Sequence, residues 1–271
     1  MLIRRALLPF PSIIGIFSPH FKLQIKAIHG TRMTALNWEL APEHVLILSD
    51  SLALSGDDHR PALMTTKVFP LSHLGLCIAG TGAQPMAKRF WAHANSKCVV
   101  SDVAHLDEYA TDILRDLWLQ LHSEPDYQTE EGRRSTSTVY VYGWSTVDDA
   151  FIGFAYRSVN DFVSEPMGYG VAAKPAPNSG ELPEINGLKE FVELMLLQKH
   201  EDRERPRMER IGIGGEILMT LMVRDETGFT AIKQQPIFKF DDYDEDWDLI
   251  LAKLPGNQDH PLSIAALARD P

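Results

Sequence analysis

The chain has 271 residues, 44% of them apolar, which is enough for one large buried core or two small ones. Its formal charge of −11 is unevenly placed: residues 1–32 hold Arg4, Arg5, Lys22, Lys26 and Arg32 without an acid, so they carry +5 and the remainder −16. A body that acidic repels polyphosphate, which argues against nucleic acid as a partner.

Residues 1–33 do not read as fold, and no acid precedes Glu39. Three readings stand beside one another. The stretch 6–17 follows two arginines like the short apolar region of a signal peptide, but Pro9 and Pro11 interrupt it, and it is too short to span a bilayer. A basic, acid-free segment also suits a targeting sequence or a removable propeptide. The third reading starts the protein at Met33. Under each, 1–33 lies outside the fold, the expected domain runs over 34–250, and 251–271 forms a tail. No membrane association is expected.

From Thr34 the pattern is strand-like. "TALNWEL" alternates, "APEH" breaks it, and "VLILSDSLAL" resumes as an apolar run. "SGDDHRPA" reads as a loop, and "TTKVFPL" and "LGLCIAGTG" as two more strands. Two helices follow. In 83–95, Met86, Phe90 and Ala94 share a face with Ala87 and Trp91 beside them; in 102–123, Val103, Leu106, Ala110, Ile113, Leu114, Leu117, Trp118 and Leu121 make a continuous stripe, with Ser101 as the expected N-cap. After the polar loop "SEPDYQTEEGRRSTS", "TVYVYGWS" and "AFIGFAYRS" form a hairpin. A strand is predicted from Phe162 towards Gly170, a loop over "AKPAPNSGELPE", and a helix over 185–200 that turns Leu188, Phe191, Val192, Met195 and Leu196 inward. "EILMTLMVRD" and "FTAIKQQPIF" make a second hairpin, and "DDYDEDWD" reads as a solvated surface segment. Two facing antiparallel sheets with helices outside would bury every apolar face in one α+β domain.

Most motif-like stretches carry no chemistry. "GYGVAA" (168–173) mimics a phosphate-binding fingerprint, yet "KPAPNSG" follows where a helix should open. The ten histidines are scattered, Cys77 and Cys98 form no CxxC pair, and neither a metal site nor a cofactor is expected. Cysteine usage suits a reducing compartment, so a cytoplasmic location is expected. What remains is Thr34, Asp50, Lys67 and Gly80 at the start of the fold. A threonine at a chain terminus carries its own base, an α-amine of ordinary pKa about 7.7–8.0. A lysine beside it would hold that amine neutral and stabilise a developing alkoxide, an aspartate would keep the lysine charged, and a glycine N–H could donate to an oxyanion. Each residue alone has a duller explanation in strand or turn chemistry; the four together do not.

With Thr34 opening a strand, "SDSLALSGDD", "TTKVFPL" and "LGLCIAGTGAQ", the chain resembles the proteasome β-subunit family, the N-terminal-nucleophile threonine hydrolases, including their simpler bacterial relatives. The likeness is detailed over 34–95 and continues in element order to "IGIGGEILMTLMVRD". It implies a four-layer α-β-β-α sandwich and a peptidase acting on peptides or unfolded protein. In that reading Thr34 is nucleophile and base, Asp50 and Lys67 are its partners, and Gly80 is the oxyanion donor. It also implies a homo-oligomeric ring, an ATP-dependent unfoldase as possible partner, and loss of residues 1–33, with Thr31 after Gly30 as a rival terminus. The departures are Leu54 and Leu52 where the family has threonine and arginine, Tyr169 for a loop serine, and Arg210 and Ile213 for an aspartate and serine (Glu209 being adjacent). The region between Gly170 and Gly214 is also short for two outer helices. Two other readings therefore stand: a non-catalytic scaffold or assembly subunit of the same fold, and a non-peptidase amidase, whose usual cysteine or serine does not open this strand.

Overall fold

The computed structural model describes residues 34–55, 59–83 and 85–253; the expectations for residues 1–33, and for the tail beyond 253, lie outside them. The first antiparallel sheet contains β1 (Leu36–Ala41), β2 (His44–Asp50), β10 (Gly170–Lys174), β11 (Glu216–Arg224) and β12 (Thr230–Lys239), in the order β10-β1-β2-β11-β12. The second contains β5 (Val68–Leu71), β6 (Leu76–Gly82), β7 (Ser137–Ser145), β8 (Ala150–Arg157) and β9 (Ser164–Pro166), paired in chain order. A small hairpin, β3 (Leu52–Leu54) with β4 (Pro61–Met64), projects from the end of β2.

Side-chain alternation assigns the layers. Leu36, Trp38 and Leu40 of β1 meet Cys77, Ala79, Tyr140 and Tyr142 between the sheets. On the outer face of the second sheet, Ile78, Val139 and Val141 pack beneath α1 (Pro85–Lys97) and α2 (Val103–His122). On the outer face of the first, Leu46, Leu48, Ile217 and Met219 pack against Phe191 and Met195 of α4 (Leu188–Glu204). No helix among the described residues is long and apolar enough to cross a membrane.

Several local features differ from the sequence reading. The run "VLILSDSLAL" divides at Ser51, because the N–H groups of Ser51 and Leu52 both donate to the Gly214 carbonyl, at 3.2 and 3.1 Å. Chain leaving β2 is thereby drawn out of the ladder and into β3. The N-cap of α2 is Asp102, not Ser101: its Oδ1 accepts from the His105 N–H at 3.0 Å, while Oδ2 accepts from Thr146. The expected strand after Phe162 is two strands in different sheets, β9 and β10, as the chain crosses from one sheet to the other. In α4, Phe191 and Met195 are buried and Leu188 and Val192 pack half-buried beside them as expected, but Leu194 is buried where Leu196, expected inward, is exposed. The polar loop before β7 contains a short helix, α3 (Glu130–Arg134), capped by Thr129. The acidic run is helical too: α5 (Tyr243–Lys253) buries Asp246 and Ile250 and crosses the expected boundary at residue 250.

Candidate active site

The described part of the chain begins at the mouth between the two sheets. Thr34 is half-buried and precedes β1 in phase with Leu36, which points between the sheets. The next residue is fixed: the Ala35 N–H donates to Asp50 Oδ1 at 3.1 Å. Asp50, completely buried at the end of β2, also receives the Lys67 ammonium on Oδ1 at 2.7 Å and the Gly214 N–H on Oδ2 at 3.3 Å. Lys67 stands just before β5, in the other sheet, and its Nζ donates a second bond to the Leu52 carbonyl at 2.7 Å. One carboxylate thus ties together both sheets, the residue after Thr34 and the glycine loop before β11. Burial pushes the Asp50 carboxyl up and the Lys67 ammonium down from their ordinary values, and each is opposed by the partner's charge.

Gly80 lies beside this pair, but its N–H is engaged, donating to the Lys67 carbonyl at 3.2 Å. The missing side chain has a packing reason as well. A Cβ at Gly80 would stand 2.4 Å from the Ala87 Cβ of α1, so the helix sits directly on the strand. Gly80→Ala is expected to cost about 1–3 kcal/mol by pushing α1 off the sheet, measured by urea unfolding.

The departures from the family pattern acquire a geometry. Leu54 packs against the backbone of Gly212 and Leu52 against that of Gly214, so both leucines clamp the 212–214 loop. Arg210 turns away, donating to the carbonyls of Arg205 and Arg203 at 3.0 and 2.8 Å, and Ile213 is in the core. A carboxylate reaches this loop from α4 instead. Asp202 accepts from the N–H groups of Ile211, Gly212 and Ile213 at 2.7, 2.9 and 3.4 Å. Tyr169 is misplaced by the sequence reading: the register pairs Leu40 with Gly170 and Leu36 with Lys174, which puts Tyr169 at the far end of β1. The residue facing the mouth is Lys174.

A second acid lies on the loop's outer side. Asp246 of α5 is buried over Gly214, and burial together with Asp242 lifts its carboxyl to about 6, against pulls from Lys199 and Arg203. Its proton is held more tightly folded than unfolded, so ionisation costs stability as pH rises from about 4 to about 6. Asp246→Asn is accordingly expected to stabilise the protein by about 1–2 kcal/mol at pH 7 and to leave it unchanged below about pH 4, read from chemical denaturation at both pH values.

Sequence reasoning missed Asp202, Asp246 and Lys174. The first two hide in charge-rich runs that read as solvated faces; a buried-side phase with Phe191 and Met195 in α4 is the signal that could have found Asp202. Cys77, fully buried between the sheets with its thiol pushed up by burial, is a core residue with no nucleophilic character. No cluster of His, Cys, Asp and Glu suited to a metal ion occurs among the described residues. No protein-family model matches the chain, and comparison with curated proteins gives no match either.

Proposed function

We propose that the chain is an N-terminal-nucleophile hydrolase of the proteasome-like kind, a threonine-type peptidase whose nucleophile is Thr34 after removal of residues 1–33. The observation that carries this reading is the buried Asp50 carboxylate, which holds the Lys67 ammonium at 2.7 Å and the N–H of the residue following Thr34 at 3.1 Å. That arrangement fixes a cation and the start of β1 relative to each other. A solvated strand-end lysine would not need it.

The chemistry follows from the groups present. The neutral α-amine of a terminal Thr34 takes the proton of its own hydroxyl, and Oγ1 attacks the scissile carbonyl carbon. The Lys67 charge favours the neutral amine and the developing alkoxide. Collapse of the tetrahedral intermediate breaks the C–N bond, the ammonium returns its proton to the leaving amine, and a threonyl ester remains. Water, deprotonated by the same amine, resolves the ester. No cofactor enters. The Gly80 N–H becomes an oxyanion donor only by giving up its 3.2 Å bond to the Lys67 carbonyl. The resemblance extends the proposal to a cytoplasmic homo-oligomeric ring that receives peptides or unfolded protein, with an ATP-dependent unfoldase as partner.

One observation favours a second reading. With its N–H already satisfied, Gly80 suits a non-catalytic scaffold or assembly subunit of the same sandwich. A β-lactone or epoxyketone electrophile separates the two by intact mass. The peptidase gains one adduct, on Thr34; the scaffold gains none. A non-peptidase amidase would take the same adduct and cleave small amides in place of peptides.

A further inference from the structure

Two of the buried ammonium groups of the described residues have carboxylate partners. Lys67 is held by Asp50 at 2.7 Å, and Lys199 by Asp242 at 2.5 Å. Lys174 is different. It ends β10 as the Cα partner of Leu36, in phase with Ala172 of the inter-sheet core, and is half-buried. Its Nζ crosses to the other sheet, donating to Thr138 Oγ1 at 2.9 Å and lying 5.9 Å from the centre of the Tyr140 ring. Among the described residues its partners are that hydroxyl and that ring, with no carboxylate. A second cation, Arg157, acts on it; Arg157 pairs with Thr138 across the β7–β8 ladder and is itself neutralised by Glu165. Burial, helped by Arg157, draws the Lys174 ammonium down to about 8, so it is still largely charged at neutral pH.

A partly desolvated ammonium without a counter-charge is costly to keep, and apolar residues of similar size commonly serve structure as well or better. Its position offers a reason. Lys174 ends β10, which pairs with β1 on the side opposite to β2, and Asp50 ends β2, so Lys174 and the Asp50–Lys67 pair flank the start of β1, just after Thr34. Elsewhere the body is strongly acidic, and an acidic ligand approaching it needs a local cation to offset repulsion.

The geometry points to Lys174 as a specificity-determining residue that receives a carboxylate of the peptide bound at Thr34. The assignment rests on the peptidase reading for what is bound there. The carboxylate can come from an acidic side chain or from a peptide C-terminus, and the chemistry of recognition is the same.

Three acetylated tripeptides separate the sources: one with a glutamate side chain and an amidated C-terminus, one with glutamine and a free C-terminus, and one with glutamine and an amide. Binding to the full chain as isolated is measured by calorimetry, for the wild type, Lys174→Met and Lys174→Arg. The wild type is expected to bind one carboxylate peptide about tenfold more tightly than the neutral one. Lys174→Met should abolish that preference and Lys174→Arg should retain it. The peptide that gains identifies the source. No preference in the wild type, a comparison that needs no variant, overturns the assignment, as does a preference that survives in Lys174→Met. β-Lactone labelling on the same samples keeps the two ideas apart. A carboxylate preference without labelling removes the catalytic reading and leaves the Lys174 site; labelling without a preference removes Lys174 alone.

Discussion

Lys67→Met is expected to destabilise the protein by about 3–5 kcal/mol, the largest loss from any single change at the mouth, because it strands the Asp50 carboxylate in the interior. The two side chains are 7% and 0% exposed and 2.7 Å apart, and Lys67 also satisfies the Leu52 carbonyl. Asp50 retains the N–H groups of Ala35 and Gly214, which soften the loss without replacing the charge. Asp50→Asn alone should be costly for the opposite reason, leaving a buried ammonium. The double variant Asp50→Asn with Lys67→Met removes both charges and is expected to recover most of the stability. Urea unfolding of the four proteins closes the cycle, with coupling well above the 0.5 kcal/mol typical of independent sites. Additive losses would mean that the ion pair does not organise the mouth.

Thr34→Ala should show the complementary pattern, with stability within about 0.5 kcal/mol of wild type and acylation reduced by at least ~10⁴-fold. Thr34 is half-buried and precedes the first strand, so deleting its hydroxyl opens no core cavity. The same hydroxyl is the atom that forms the ester, so no neighbour can replace it. Thr34→Ser keeps the hydroxyl and is expected to retain labelling by the β-lactone, measured as the rate of adduct formation by intact mass. Labelling that persists in Thr34→Ala would locate the nucleophile elsewhere. The double variant at Asp50 and Lys67 refines the point: it should fold yet fail to label, separating the pair's structural role from its chemical one.

What the sequence made legible was whatever depends on local periodicity. Alternation in "TALNWEL" and the stripe along 102–123 are written in side-chain spacing, and β1 and α2 lie where that spacing puts them. The pairing of Asp50 with Lys67 is legible from chemistry, since a buried lysine needs an acid to stay charged; that one ends β2 and the other precedes β5 in the opposite sheet is not written in local spacing. Gly80 lies near them as expected, but the bond from its N–H to the Lys67 carbonyl is a contact between strands that local spacing does not encode. The remaining errors are non-local. Tyr169 was misplaced because the strand after Phe162 is two strands in two sheets, and only the β1–β10 register decides which residue reaches the mouth. Asp202 was missed because the N–H groups that donate to it lie beyond the end of its own helix, where charge-rich composition suggests solvent. The acidic run hid α5 for a related reason: its apolar face comprises little more than the half-buried Trp247 and the buried Ile250.

Intact-mass analysis of the protein isolated from its native cells, before and after treatment with a β-lactone, tests the central claim most directly. The account predicts a chain that begins at Thr34 and gains a single adduct on that residue. A chain that still carries residues upstream of Thr34 and stays unmodified would contradict it.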